Sequence, residues 1–261
     1  MTDLERRLFG GNVADGVVRV GATVRKPATS STNTVEAFLK HLNDVGFTGA
    51  PRTMGRDEQG RHMLEYVPGV TIDHPDQLSK DELWRVGQLV REFHNAARSF
   101  TPPAWGCWNV AIKPNSIGQG SESMFCHHDL APWNLVRDGE RWVFIDWDGS
   151  GPGTALWDVA YAAQSFVPLG PEGDPVLDAE RLCWFVSGYG LSRSEREALP
   201  RLIVERTRAM HHLLEDGART GEQPWARLHA EGHAVHWGRS AAYIEQHLDM
   251  WKNALLGDCE E

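Results

Sequence analysis

Phe125-Cys126-His127-His128-Asp129-Leu130-Ala131-Pro132-Trp133-Asn134-Leu135-Val136, followed by Trp142-Val143-Phe144-Ile145-Asp146-Trp147-Asp148, is the stretch on which the reading of this chain turns. Phe125 and Cys126 read as the end of a short buried strand, and a polar loop follows. Leu135 and Val136 resume an apolar run, Asp138-Gly139 is strong turn chemistry, and Trp142 to Ile145 returns as a second strand. Such a hairpin brings strand ends together, so Asp129, Asn134 and Asp146 can converge despite their separation in sequence. Two carboxylates and an amide form an oxygen-rich set, which suits a hard divalent cation such as Mg²⁺. An Asp or Asn after a strand is individually more often a turn former. The ordered set of three is the stronger signal.

Working outward, length and composition describe an ordinary globular protein. The 261 residues suffice for one large domain or two modest ones. Hydrophobic content is 41%, charged residues are 24%, and the net charge is −10. That balance argues against a nucleic-acid surface, which needs basic patches to neutralise phosphates. No segment approaches the roughly 20 apolar residues of a membrane span. The N-terminus is charged and has no signal-like apolar core. Cys107, Cys126, Cys183 and Cys259 form no Cys-x-x-Cys pair, which fits a reduced, cytoplasmic chain. Oligomeric state is not legible.

Upstream, Gly10-Gly11-Asn12-Val13 reads as a turn, Val17 to Val20 as a strand, and Thr23 to Lys26 as a second strand stopped by Pro27. Val35 to Val45 reads as a helix with Val35, Phe38, Leu39 and Leu42 on one face. Arg61 to Val67 reads as a strand leading into Pro68-Gly69. Beyond Gly69 the composition turns helical. Ser79-x-x-Glu82 and Ser192-x-x-Glu195 are capping boxes, and Val86, Leu89, Val90, Phe93 and Ala97 make one apolar stripe. From Met210 to Trp251 the chain is rich in His and Trp. His233-x-x-His236 could share a helix face, but lining of a small-molecule pocket or helix packing is the better reading of this segment.

The spacing His127-x-Asp129-x-x-x-x-Asn134, then a strand ending in Ile145-Asp146-Trp147, resembles the aminoglycoside phosphotransferase family of the protein-kinase-like fold. Leu156-Trp157-Asp158-Val159-Ala160 is similar to that family's Asp-Leu-Ala helix start. His128, Ala131 and Trp133 depart from its usual text. The resemblance covers nearly the whole chain and implies an α+β fold of two lobes. A small β-rich N-lobe over residues 1–67 would pack on a larger, mostly helical C-lobe over 68–261.

It further implies an ATP-dependent small-molecule kinase with Mg²⁺, GTP being left open as the donor. Asp129 would be the catalytic carboxylate, and Asn134 and Asp146 the metal ligands. Glu65 C=O and Val67 N–H would bind adenine at the hinge, and Gly10-Gly11-Asn12 would open a nucleotide-covering hairpin. Arg25 or Lys26 would steady the phosphates. Strand alternation favours Lys26, the family's text favours Arg25, and the two stay open here.

Glu36 is the candidate for a helix glutamate that orients that cation, although the family spacing falls nearer Val35. His127 is expected to brace the loop, His128 to be exposed, His94 to hydrogen-bond in the core, and Asp158 to serve loop architecture. Asp148 would assist near the metal or cap a turn. The partner is a small hydroxyl-bearing acceptor, for which the acidic balance suits a cation such as an aminoglycoside-like compound; no nucleic acid or membrane is expected. Two other readings are a silent nucleotide-binding relative and a metal-dependent hydrolase built on His127, His128 and Asp129.

Overall fold

The computed structural model describes residues 4–8, 16–114 and 123–257. The glycine-containing turn at 10–13 lies outside the described residues. The first part is an antiparallel five-stranded sheet in the order β1-β2-β3-β5-β4. Its strands are β1 (Arg6–Arg7), β2 (Val18–Val20), β3 (Thr23–Lys26), β4 (Thr53–Arg56) and β5 (His62–Glu65). Strand β3 is central, and its register sets Lys26 opposite His62 and Arg25 opposite Met63 on β5. Helix α1 (Thr32–Asp44) buries Val35, Phe38, Leu39 and Leu42, the face read from the sequence.

Phe38 ties this layer to the rest. Its ring lies 4.7 Å from that of Phe125 and 5.8 Å from that of Trp147, residues that flank the two site loops. One continuous apolar core therefore runs from α1 into the helical part. Buried aromatics in edge-to-face contact contribute both area and geometric preference.

The second part begins with α2 (Lys80–Ala97), opened by the expected capping box between Ser79 and Glu82. The short strand β6 (Met124–Cys126), the hairpin β7 (Leu135–Asp138) with β8 (Arg141–Phe144), and β9 (Gly151–Gly153) carry the loops of interest. Strand β6 pairs with β9, and β7 with β8. Helices follow: α3 (Ala155–Phe166), α4 (Pro175–Tyr189), α5 (Arg193–Thr220), α6 (Trp225–Ala230), α7 (His233–Gln246) and α8 (Leu248–Leu256). The second capping box, Ser192 with Glu195, opens α5. This is the expected α+β, kinase-like division of a β-rich part and a larger helical part.

Helices α2 and α4 touch backbone to backbone. A methyl group at Gly87 would overlap Phe185 O, and one at Gly188 would overlap Trp84 O. Among the described residues no helix is long and apolar enough to cross a membrane.

Candidate active site

The loop after β6 is held from three sides. Asp158, in the first turn of α3, accepts hydrogen bonds from the His127 amide (3.0 Å) and the His128 amide (2.8 Å). It also meets His94 Nε2 at 3.3 Å, and His94 Nδ1 in turn meets the Tyr189 hydroxyl at 2.8 Å. Burial would raise the Asp158 pKa, but the His94 hydrogen bond and the neighbouring His128 and His127 hold it at about 2. Backbone amides aimed at a carboxylate favour its charged form in the same way. His94 and Asp158 thus take the architectural parts expected of them.

His127 braces the loop as anticipated. Its Nε2 lies 3.1 Å from Ile145 O, and its Nδ1 accepts from the Asp129 amide at 3.2 Å. Burial depresses its pKa to about 4, so the ring is neutral and can accept there. His128 corrects the sequence expectation, because it is buried rather than exposed. Its backbone takes a left-handed conformation (φ 67°), which is uncommon for a side-chain-bearing residue. The ring reaches Gly151 O on β9, with Nε2 at 3.1 Å. Each imidazole thus spends its Nε2 on a separate backbone carbonyl. Among the described residues no three His, Cys, Asp or Glu side chains group to hold a metal.

Asp129 follows directly. Asn134 Nδ2 donates to Asp129 Oδ2 at 2.8 Å and to Asp129 O at 3.0 Å, closing the loop on itself. A short 3₁₀ turn over Pro132–Asn134 supplies that closure. The Asn134 carbonyl accepts from the Ile145 amide at 2.8 Å, which fixes Asn134 beside the residue preceding Asp146. Burial and the nearby Asp146 carboxylate push the Asp129 pKa up to about 6, against opposing hydrogen bonds from Tyr161 and Asn134. A carboxylate in that range can hold or release a proton near neutrality.

Asp146 ends the return strand in a left-handed conformation (φ 62°), which turns the chain into a 3₁₀ turn over Trp147–Gly149. Lys26 Nζ reaches across from β3 to Asp146 Oδ1 at 3.2 Å and Asp148 Oδ2 at 2.6 Å. Burial presses Lys26 toward neutrality, but the two carboxylates outweigh it and raise its pKa. Arg25 faces the other side of the strand and meets Asp57 Oδ2 at 3.5 Å. Of the two adjacent cations, Lys26 is therefore the one that reaches the Asp146 turn. Asp148, given only an auxiliary part in the sequence reading, is its nearer carboxylate.

Glu36 does not reach Lys26. Its Oε1 lies 3.4 Å from Arg56 Nε and 3.9 Å from His62 Nε2. The helix glutamate's ion pair is thus made with a β4 arginine. The Glu65 side chain is bound by Arg141 (2.7 Å) and Arg52 (3.3 Å), and the Arg141 hydrogen bond leads in depressing its pKa to about 2. Val67 packs in a small apolar cluster with Val136 and Val143, backed by Ile145. That cluster includes Val67 of the 65–67 segment.

The donor set fits a divalent cation. Asp146 and Asp148 already have a cationic nitrogen between them, and Asn134, having turned its NH₂ toward Asp129, presents its amide oxygen away from that contact. Sequence reasoning missed Tyr161 and Arg206, which adjoin Asp129 from α3 and α5. The one signal was helical spacing, since Tyr161 follows Asp158 by three residues and shares its face.

Residues 108–188 match the phosphotransferase enzyme family. Trifolitoxin immunity protein from Rhizobium leguminosarum bv. trifolii is 30% identical over 251 residues, covering 92% of this chain and 94% of that protein. Among solved structures, a choline/ethanolamine kinase family protein from Mesorhizobium loti superposes with a TM-score of 0.66 at 17% identity, covering 97% of this chain and 92% of that one. An amicoumacin kinase solved with AMP-PNP, Ca²⁺ and Ami superposes with a TM-score of 0.61 at 13% identity, covering 90% and 87%. These last two likenesses are of fold. The loop from His127 to Asn134, the strand end at Asp146 and the helix start at Asp158 all fall inside the matched segment, and the immunity protein is similar along nearly the whole chain. The chain belongs to the phosphotransferase enzyme family.

Proposed function

We propose that the chain is an ATP-dependent small-molecule kinase, moving the γ-phosphate of Mg-ATP to a hydroxyl of a small acceptor. The observation that carries this reading is Asp129, gripped by Asn134 and held near pKa 6, together with Lys26, Asp146 and Asp148. In the proposed reaction the acceptor oxygen bonds to the γ-phosphorus, the bond to the ADP oxygen breaks, and Asp129 takes the hydroxyl proton. Asn134 and Asp146 hold Mg²⁺, which would neutralise phosphate charge when bound. Lys26 steadies the phosphates, and Arg25 stays in its pair with Asp57. Glu65 C=O and Val67 N–H take the adenine edge, over the Val67, Val136 and Val143 cluster. The division falls after residue 67, with residues 1–67 covering the nucleotide and 68–261 carrying the chemistry. Positioning and charge neutralisation supply most of the acceleration in such a transfer.

The acceptor proposed is a cationic hydroxylated compound, in keeping with the net charge of −10. The immunity protein's name favours a toxic compound disarmed by phosphorylation. The test is transfer from γ-labelled ATP to a panel of hydroxylated acceptors, cationic and neutral. Transfer that prefers cations, with KM rising as salt screens the field, supports both halves of the reading. Tight Mg-ATP binding without transfer to any acceptor would instead mark a silent relative.

A further inference from the structure

Two buried side chains beneath the catalytic loop have no part in the roles given so far. Tyr161, on α3, is 2% exposed, and it adjoins the Asp129 carboxyl, opposing the rise of that group's pKa. Arg206, on α5, is 3% exposed, and its Nη2 donates to His128 O at 3.2 Å. The guanidinium lies 4.3 Å from the centre of the Tyr161 ring, and the Trp237 ring of α7 stacks on Tyr161 at 6.3 Å with 22° between planes. Arg206 Nη1 is buried with no hydrogen-bond partner among the described residues. Burying a guanidinium that incompletely satisfied is costly, and packing alone would be better served by an apolar side chain. Its position, against the loop carbonyl before Asp129 and against the ring of the tyrosine that adjoins Asp129, suggests what the cost maintains.

We propose that Tyr161 and Arg206 are positioning residues for Asp129, with the Tyr161 hydroxyl fixing the rotation of the carboxyl and Arg206 clamping both the Tyr161 ring and the His128 carbonyl. Asn134 grips Oδ2 and the loop carbonyl from within the loop. Tyr161 adds an anchor from outside it, so the carboxyl is held against two independent elements. Arg206 makes the second anchor rigid, because the bond to His128 O holds the guanidinium in place and movement of the ring would sacrifice the cation–π contact with it. The arrangement sets the proton acceptor at a fixed angle to an incoming hydroxyl, and misplacement of a reacting group by about 1 Å can cost on the order of 10²-fold in rate. The inference rests on the kinase reading for its rate effect, though not for its geometry.

The test uses the full chain with three substitutions, Tyr161→Phe, Arg206→Met and Arg206→Lys. Tyr161→Phe keeps the ring and its stacking and removes only the hydroxyl. Its kcat should fall by about 10- to 100-fold, with KM for nucleotide and acceptor unchanged. Arg206→Met should fall similarly, and Arg206→Lys should recover part of the loss. In parallel, the ¹³C carboxyl resonance of Asp129, assigned by its absence in Asp129→Asn, should move in Tyr161→Phe while that of Asp158 stays. A merely structural role would lower stability and leave this resonance and the kcat-to-KM split alone. An unmoved resonance, an undiminished kcat, or a rise in acceptor KM alone would overturn the proposal. Should Arg206→Met fail to fold, Tyr161→Phe and Arg206→Lys still decide it. A resonance that moves in a protein transferring phosphate to no acceptor would uphold the positioning and sink the kinase reading by itself.

Discussion

Lys26 Nζ lies 2.6 Å from Asp148 Oδ2, closer than its 3.2 Å approach to Asp146. A strand of the sheet and the turn after β8 are thereby joined by charge, through two residues 122 positions apart. The pairing separates Lys26 from Arg25, which meets Asp57 on the opposite side of β3. Substituting each by Met keeps much of the length and deletes the charge. Lys26→Met should lower turnover at least about tenfold, through loss of the proposed phosphate contact, whereas Arg25→Met should leave it nearly unchanged. Comparable effects from both would contradict the division of labour that strand alternation creates.

Asp129→Asn preserves shape and removes the proton acceptor. Turnover should drop by about 10²–10⁴ while nucleotide affinity persists. In the unsubstituted enzyme the rate should fall as pH drops through about 6, where Asp129 takes up a proton. A rate profile flat across that region, with turnover intact in Asp129→Asn, would remove Asp129 from the reaction.

Asp146→Ala bears on the metal. It should weaken Mg²⁺-dependent nucleotide binding far more than metal-free binding, since its carboxylate is proposed to touch the ion. Calorimetry with and without Mg²⁺ measures the difference. Equal losses in the two conditions would assign Asp146 to architecture, with its Lys26 pair as the reason.

Stability should fall on acidification in two stages. Burial depresses both His62 and His127 to about 4. The unfolded chain, with histidines near 6.5, therefore binds more protons between about pH 4 and 6.5, and stability declines as pH falls through that window. Each such shift corresponds to roughly 3 kcal/mol in order of magnitude. Asp158 and Glu65, held at about 2, continue the loss below about pH 4.5. Asp129 works in the opposite sense, because its raised pKa lets the native state bind the extra proton between about 4 and 6. Asp129→Asn should therefore steepen the decline. Denaturant midpoints at several pH values read this out, and a midpoint constant from pH 7 to 5 would refute it.

Removing Asp158 should be the most damaging single change to the loop. Asp158→Ala leaves two buried amides and His94 without an acceptor, at a cost of about 3–5 kcal/mol. A thermal shift of only a degree or two would show that the loop is held mainly by other contacts.

How far the sequence spoke depends on how local each relation was. Asp129, Asn134 and Asp146 could be read because their spacing is fixed by one hairpin, and the core face of α1 because Val35, Phe38, Leu39 and Leu42 keep helical period. The parity of β3 already favoured Lys26. Glu36 escaped because its partner, Arg56, comes from β4 and nothing in the helix sequence marks it. His128 escaped because a left-handed backbone, which no turn residue advertises, rotates it inward to Gly151 O. Arg206 was invisible for a similar reason, and Tyr161 was marked only by its spacing of three from Asp158. Their meeting with Asp129 depends on how α3 and α5 pack, and no spacing in the chain encodes that distance.

The contact of α2 with α4 has a consequence for how this protein can vary. His94 rides on α2 and Tyr189 on α4, and their 2.8 Å bond stands one step from Asp158 and two from the loop amides. The separation of the two helices is set by missing side chains at Gly87 and Gly188, so the pair acts as a gauge block for a loop that neither glycine touches. An alanine at either position would wedge the helices apart and be felt as a loosened catalytic loop, far from the change itself. The seam between α2 and α4 has no slack to give.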